Sequence, residues 1–338
     1  MKRALLLYIA VLIVLAAAGT AAVLRVVGAR PCAKGTGSAP VLFAVRAGEP
    51  FSSVARRLGE VDLVAQPRVL EIYAWLRGSD RKIKAGTYGF TRVQAPKEIL
   101  EKLVLGEIFR VSVTIPEGFM HTQIAGALAA AGVDSAAFAG LANDEETRRK
   151  LDAAGPSLEG YLFPDTYLVP VGMTPLEVAA MMRARLEEVF DAKMVRRAAE
   201  LSMTRHQVLT LASIIQAEAR LHGEMPLVSA VYHNRLRNGI KLEADPTVAY
   251  AMGGYKGRLY YKDLEIDSPF NTYRHAGLPP GPICAPGKAS IEAALYPDTA
   301  CRAVYFVAKG DGGHIFSLTL VEHLAAVESV KRSRRASD

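Results

Sequence analysis

The ten residues Leu211–Arg220, LASIIQAEAR, put one carboxylate, Glu218, into an otherwise apolar run. On a helix, positions i, i+3, i+4 and i+7 share a face, so Leu211, Ile214, Ile215 and Glu218 form one stripe. A Glu on such a stripe has two readings. Its stem can lie along the core while its head pairs with a base or reaches water. Alternatively, removal from water raises its pKa, and a Glu poised near neutrality protonates a leaving oxygen. Cleavage of a glycosidic bond needs such a proton, because an alkoxide leaves poorly. Asp245 is the natural second carboxylate, since hydrolases set a pair of carboxyl groups on either side of the scissile bond. Asp before Pro246 at a helix start is equally an ordinary N-cap. Glu224 and Glu243 read as surface charges.

The segment Ser268–Gly287, SPFNTYRHAGLPPGPICAPG, is a long polar and aromatic loop stiffened by prolines. Loops of this length inside a compact domain are often functional. Its Asn271, Thr272 and Tyr273 offer amide and hydroxyl groups to a sugar or to developing charge; the alternative is a structural loop that fills a groove. His222, His233, His275 and His314 have no metal-ligand spacing, and with no CxxC the chain carries no zinc signature. Cys284 and Cys301 can pair in an oxidising compartment, which leaves Cys32 over.

Local signals place the elements that carry these residues. Thr204 with Gln207 is a capping-box pattern, so LASIIQAEAR is expected well inside a helix starting near Arg205. Thr174, Pro175 and Glu177 open another helix, expected to run to about Leu201. The helix PLVSAVYHNRLRN stops at Gly239, and a short helix begins at Asp245–Pro246 and ends at Gly253–Gly254. AVYFVAKGDGGHIFSLTL reads as a hairpin. Upstream, Val41–Val45, a helix after RAGEP, a helix over Pro67–Leu76 and the AGTYGF strand form a strand–helix–helix–strand unit. Small carbohydrate-binding modules of the LysM type have this order. Helix Ala95–Leu105 leads to RVSVTI, where Val111, Val113 and Ile115 alternate as in a half-buried strand. A PEGF turn and an Ala-rich helix from His121 follow, and LEGYLFPDTYLVP reads as aromatic and irregular.

The 338 residues suffice for two or three domains. Ala4–Leu24 holds no charged residue and follows Lys2 and Arg3; about 20 apolar residues cross a bilayer. The preceding positive residues favour a cytoplasmic N-terminus, a bias that Arg25 and Arg30 weaken. The small residues of AAAGTAA leave signal-peptide cleavage as the alternative, and GARPC lacks a lipid-attachment context. A single-pass protein with an extracytoplasmic body is the expectation. The net charge of +7, with runs at Arg148–Lys150 and in the KRSRR tail, suits an anionic polymer or phospholipid head groups, or simply solubility. Outside the membrane it does not point to nucleic acid.

Taken in order, LASIIQAEA, VSAVYHNRLRNGIKLEADPTVAYAMG, DSPFNTYRHAGLPPGPICAPG and YFVAKGDGGHIFS resemble the YceG-like family, the MltG-type endolytic murein transglycosylases. KAGTYGF, the IPEG turn, LEGYLFPDTY and the N-terminal span fit the same resemblance, which extends to about Val327. It implies an α+β protein. Residues 1–27 are a cytoplasmic tip and transmembrane anchor, 28–40 a linker and 41–107 a LysM-like module. Residues 108–202 are a connecting α+β region, 203–328 a mainly helical catalytic domain with short strands, and 329–338 a basic tail. It also implies a lytic transglycosylase of the inner (plasma) membrane. This enzyme cuts the β-1,4 bond between N-acetylmuramic acid and N-acetylglucosamine in nascent strands, leaves 1,6-anhydro ends and terminates chain growth. Glu218 is then the catalytic acid and base, and Asp245, Thr247, Asn271, Thr272 and Tyr273 hold the substrate. No cofactor or metal is implied; the partners are peptidoglycan strands, the membrane and peptidoglycan synthases. The family helix reads A-S-I-x-E-x-E, and here Gln216 replaces its first acid. Gln216 lies about 200° around the helix from Glu218, so its loss bears on packing rather than chemistry. Cys284 stands where the family more often has Ala. Two competing readings are a hydrolase on the same substrate using Glu218, Asp245 and water, and a silent membrane-tethered glycan-binding scaffold.

Overall fold

The computed structural model describes residues 2–28, 39–254, 257 and 259–337; Cys32 and most of the spacer at 28–40 lie outside them. The fold is helix-dominated, with three two-stranded sheets among the described residues, and it divides into two compact units.

The first unit comprises Met1–Val111 with Leu168–Gly172. It opens with α1 (Lys2–Gly28), of which Leu5–Gly28 has a mean hydropathy of 2.5 and is long enough to cross a membrane. Then follow β1 (Val41–Val45), α2 (Phe51–Glu60), α3 (Pro67–Leu76), β2 (Gly86–Phe90) and α4 (Pro96–Leu105). β1 pairs antiparallel with β2, with Val41 opposite Phe90 and Val45 opposite Gly86. Period-2 alternation sends Phe43, Val45, Tyr88 and Phe90 inward. α2 buries Phe51, Val54, Ala55 and Leu58, the i, i+3, i+4, i+7 set of an amphipathic helix. Val27 at the end of α1 joins this core with Leu70, Ile99 and Leu103.

The second unit comprises Ser112–Tyr167 and Met173–Asp338. β3 (Arg110–Thr114) pairs with β4 (Thr166–Pro170). The end of LEGYLFPDTYLVP is therefore a strand, one that its central aromatics conceal from a period-2 reading. Between these strands lie α5 (His121–Leu128), α6 (Ser135–Leu141) and α7 (Glu145–Lys150). α8 (Pro175–Val189) starts at the Thr174–Glu177 capping box but ends well before Leu201. Phe190 leaves the helix, and Asp191 caps a separate α9 (Ala192–Glu200) by accepting from the amides of Lys193 and Met194.

α10 (Arg205–Glu218) is the centre of this unit, packed by α9, α11 (Met225–Arg237), α12 (Asp245–Ala251) and α13 (Lys288–Leu295). Every residue from Val208 to Ile215 is buried, so α10 has no solvent face between its first and last turns. Gly239, with φ +64, reverses the chain after α11. The hairpin β5 (Tyr305–Ala308) and β6 (His314–Ser317) forms as expected, and α14 (Leu320–Ser337) absorbs the basic tail.

Candidate active site

Glu218 is the last residue of α10, not one well inside it. Ala219 still donates to Ile215 O at 2.9 Å, but its own backbone is extended and turns the chain away. The helix thus carries Glu218 out of the core and delivers it half-buried to the wall of a cleft of about 950 Å³. Gly118, Met120, Gln123, Asp245, Tyr250 and Cys284 line the same cleft.

Three contacts between α10 and the 283–287 segment fix that wall. Ile283 N donates to Ser213 Oγ at 3.0 Å, the Cys284 thiol to Ser213 O at 3.4 Å, and Gly287 N to Gln216 Oε1 at 3.0 Å. Gln216 accordingly braces the loop, in line with its position away from Glu218. Gly118 N and Ala285 O, and Ala285 N and Phe119 O, bond at 2.8 Å and attach the IPEG turn to the same segment. A second brace escaped the sequence reading. Glu159, buried at 1% exposure, accepts from His121 N at 3.1 Å and contacts His121 Nδ1 at 2.7 Å, which anchors the start of α5 beside Met120. Only its place in an aromatic segment could have hinted at this.

Burial raises the Glu218 carboxyl to about 7; the nearby Asp245 charge adds to the rise, and a hydrogen bond from Tyr232 opposes it. Tyr232 Oη donates to Glu218 Oε1 at 2.9 Å. The helix C-terminus, where backbone carbonyls concentrate partial negative charge, acts in the same direction as burial. Tyr232 is enclosed at 1% exposure and meets Phe306 edge to face. Sequence reasoning missed it because an aromatic on the buried stripe of α11 looks like core.

Asp245 is the first residue of α12, and Ala244 occupies the cap position. The expected N-cap role is therefore absent; Asp245 Oδ1 accepts from Tyr273 Oη at 2.6 Å instead. Thr247, Asn271 and Thr272 differ from the expectation that they face a sugar. Their exposures are 0%, 0% and 1%, and their polar atoms are engaged inside the fold. Asn271 Nδ2 donates to Leu264 O and Ile266 O at 2.9 and 2.8 Å. Thr247 donates to Ala244 O, which leaves Thr272 to donate to Thr247 Oγ1 at 2.9 Å while accepting from Ala244 N at 3.0 Å. These three side chains shape the loop and hold Asp245 against Tyr273.

Glu224 is no free surface charge: its carboxylate meets His314 Nδ1 at 2.7 Å and ties the β5–β6 hairpin to the turn after α10. Glu243 pairs with Arg235 at 3.0 Å. His233 Nε2 bonds Ala294 O at 2.8 Å. Cys284, buried, and Cys301, half-buried, are unpaired thiols. Among the described residues, no three His, Cys, Asp or Glu side chains group as a metal site would require.

Comparison with known proteins finds similar chains. The chain is 35% identical over 308 residues to an endolytic murein transglycosylase of Bacillus subtilis, covering 86% of this chain and 84% of that one. It is 25% identical to an endolytic murein transglycosylase of Streptococcus pneumoniae, spanning 82% of this chain but 55% of that protein's length. The crystal structure of a YceG-like protein from Listeria monocytogenes superposes with a TM-score of 0.60 at 31% identity, over 85% of this chain and 98% of that one. Residues 43–329 match the YceG-like family description, and the chain belongs to the YceG-like family.

Proposed function

We propose that this protein is a membrane-anchored lytic transglycosylase that cuts within peptidoglycan strands, with Glu218 as its single acid–base group. The observation that carries the reading is a half-buried glutamic acid, raised to about 7, presented by a buried helix to an open cleft. Such a group is protonated in a large fraction of molecules near neutral pH and is poised for general acid catalysis.

Protonated Glu218 gives its proton to the glycosidic oxygen as the bond from muramic C1 to O4 of N-acetylglucosamine breaks. The muramic C6 hydroxyl attacks C1, and its proton passes to the Glu218 carboxylate. A C1–O6 bond replaces C1–O4, no water is consumed, and the 1,6-anhydro end forms with the acid regenerated. Tyr232 holds the carboxyl in one orientation, and the Asp245 charge opposes early loss of the proton while favouring positive charge developing at C1. The apolar α1 would anchor the enzyme in the plasma membrane with its body outside, where new strands emerge beside their synthases. The strand–helix–helix–strand unit, LysM-like in its order, would hold the glycan. Termination of chain growth follows from cutting at that place.

Because Asp245 lies in the same cleft, a hydrolase using both carboxylates is the second reading. Mass spectrometry of glycan strands digested by the full-length protein in detergent separates the two. Anhydro-muramic ends that vanish in Glu218→Gln support the transglycosylase; reducing ends, heavier by one water, would replace it with the hydrolase.

A further inference from the structure

Arg220 lies two residues beyond Glu218 and lines the same cleft. The tip of the β5–β6 hairpin passes beside its base: a Cβ on Gly312 would lie 4.0 Å from Arg220 Cβ and 3.8 Å from Leu221. The φ of +96 at Gly312 is one that side chains rarely adopt, and the Glu224–His314 contact keeps the hairpin there. The guanidinium has no ion pair or hydrogen bond among the described residues. Its charge is not spent on Glu218 either, whose proton affinity is set by burial, Tyr232 and Asp245. An exposed cation with no protein partner among the described residues, on the wall of a cleft that otherwise presents Glu218 and Asp245, is suited to an anion brought by the substrate.

We infer that Arg220 binds a carboxylate of the stem peptide on the muramic acid next to the scissile bond, and so makes the enzyme select peptide-bearing strands over bare glycan. The inference rests on the transglycosylase reading. The chemistry favours it: muramic acid carries its peptide through the lactyl group, that peptide holds free carboxylates, and a planar guanidinium pairs with a carboxylate through two parallel hydrogen bonds. In bare glycan the only carboxylate is the lactyl one, held against the sugar ring rather than out along a peptide.

The test uses lipid-free strands, which lack the diphosphate of the growing end, in two forms: stem-bearing, and stripped of stems by an amidase with the freed lactyl carboxylates then capped as amides. Full-length wild type, Arg220→Gln and Arg220→Lys are compared for cleavage and, with Glu218→Gln in each background, for binding. On stem-bearing strands, Arg220→Gln is expected to raise KM and Kd about tenfold, the worth of one hydrogen bond to a charged group, with kcat within about twofold. Arg220→Lys should recover part of that loss, and on stripped strands the three proteins should coincide. An equal loss on both substrates, or no change on either, would overturn the inference. Absence of anhydro ends from wild type on both substrates would sink the transglycosylase reading instead, and the binding arm would still decide the role of Arg220.

Discussion

Tyr232, enclosed on α11, donates a 2.9 Å hydrogen bond to Glu218 Oε1 at the end of α10, so the carboxyl facing the cleft is oriented by a side chain that does not itself line it. The donor favours the ionised carboxylate while burial favours the acid, and burial prevails.

Replacing Glu218 by Gln keeps the shape and removes the proton. Cleavage of purified strands should fall by about 10²–10⁴-fold, the range of general acid–base assistance. Circular dichroism should show an unchanged fold.

Tyr232→Phe removes the donor and leaves the ring in place. The Glu218 pKa should rise further, moving the alkaline limb of the kcat/KM profile to higher pH. The looser carboxyl should also lower kcat by about tenfold, as for one charge-assisted hydrogen bond. An unmoved limb would show that Tyr232 is only core.

The pH profile follows from the acid role. The free enzyme must carry a proton on Glu218, so kcat/KM should fall as pH rises through about 7. Asp245→Asn removes the charge that helps hold this proton, and the limb should move to lower pH. Titrating kcat/KM for both proteins between pH 5 and 9 on about half-unit steps measures the displacement.

The same group predicts a stability change of definite sign. Glu218 is raised from 4.5 to about 7 on folding, so the folded chain holds the proton more tightly. Stability is unaffected below 4.5, declines between 4.5 and about 7, and stays reduced above that. Glu218→Gln should therefore be more stable than wild type at pH 8 by about 1–3 kcal/mol, allowing for the solvent that reaches the cleft, and nearly equal at pH 4.5. Thermal melts at the two pH values read the difference.

Asn271→Ala strips the donor from two carbonyls, Leu264 O and Ile266 O. Stability should fall by about 1–3 kcal/mol, the cost of unsatisfied buried polar groups. Hydrogen exchange should rise first in 264–273. If the side chain instead held sugar, KM would rise with the melting temperature unchanged.

What the sequence determined by itself is local. The Thr174–Glu177 and Thr204–Gln207 capping boxes, the Gly239 stop and the hairpin all formed as read, because each depends on residues close along the chain or on a backbone preference. Glu218 too was legible, since a carboxylate within an apolar run is anomalous without any partner. What only the tertiary structure decided is which distant groups meet. Tyr232 stands 14 positions from Glu218, Tyr273 stands 28 from Asp245, Gly287 stands 71 from Gln216, and His314 stands 90 from Glu224. No period or spacing encodes such pairs. For the same reason Asn271 and Thr272, polar residues in a long loop, looked like sugar ligands in the sequence. Folding buries their backbone surroundings, and buried carbonyls and amides must find partners, so these side chains turn inward to supply them.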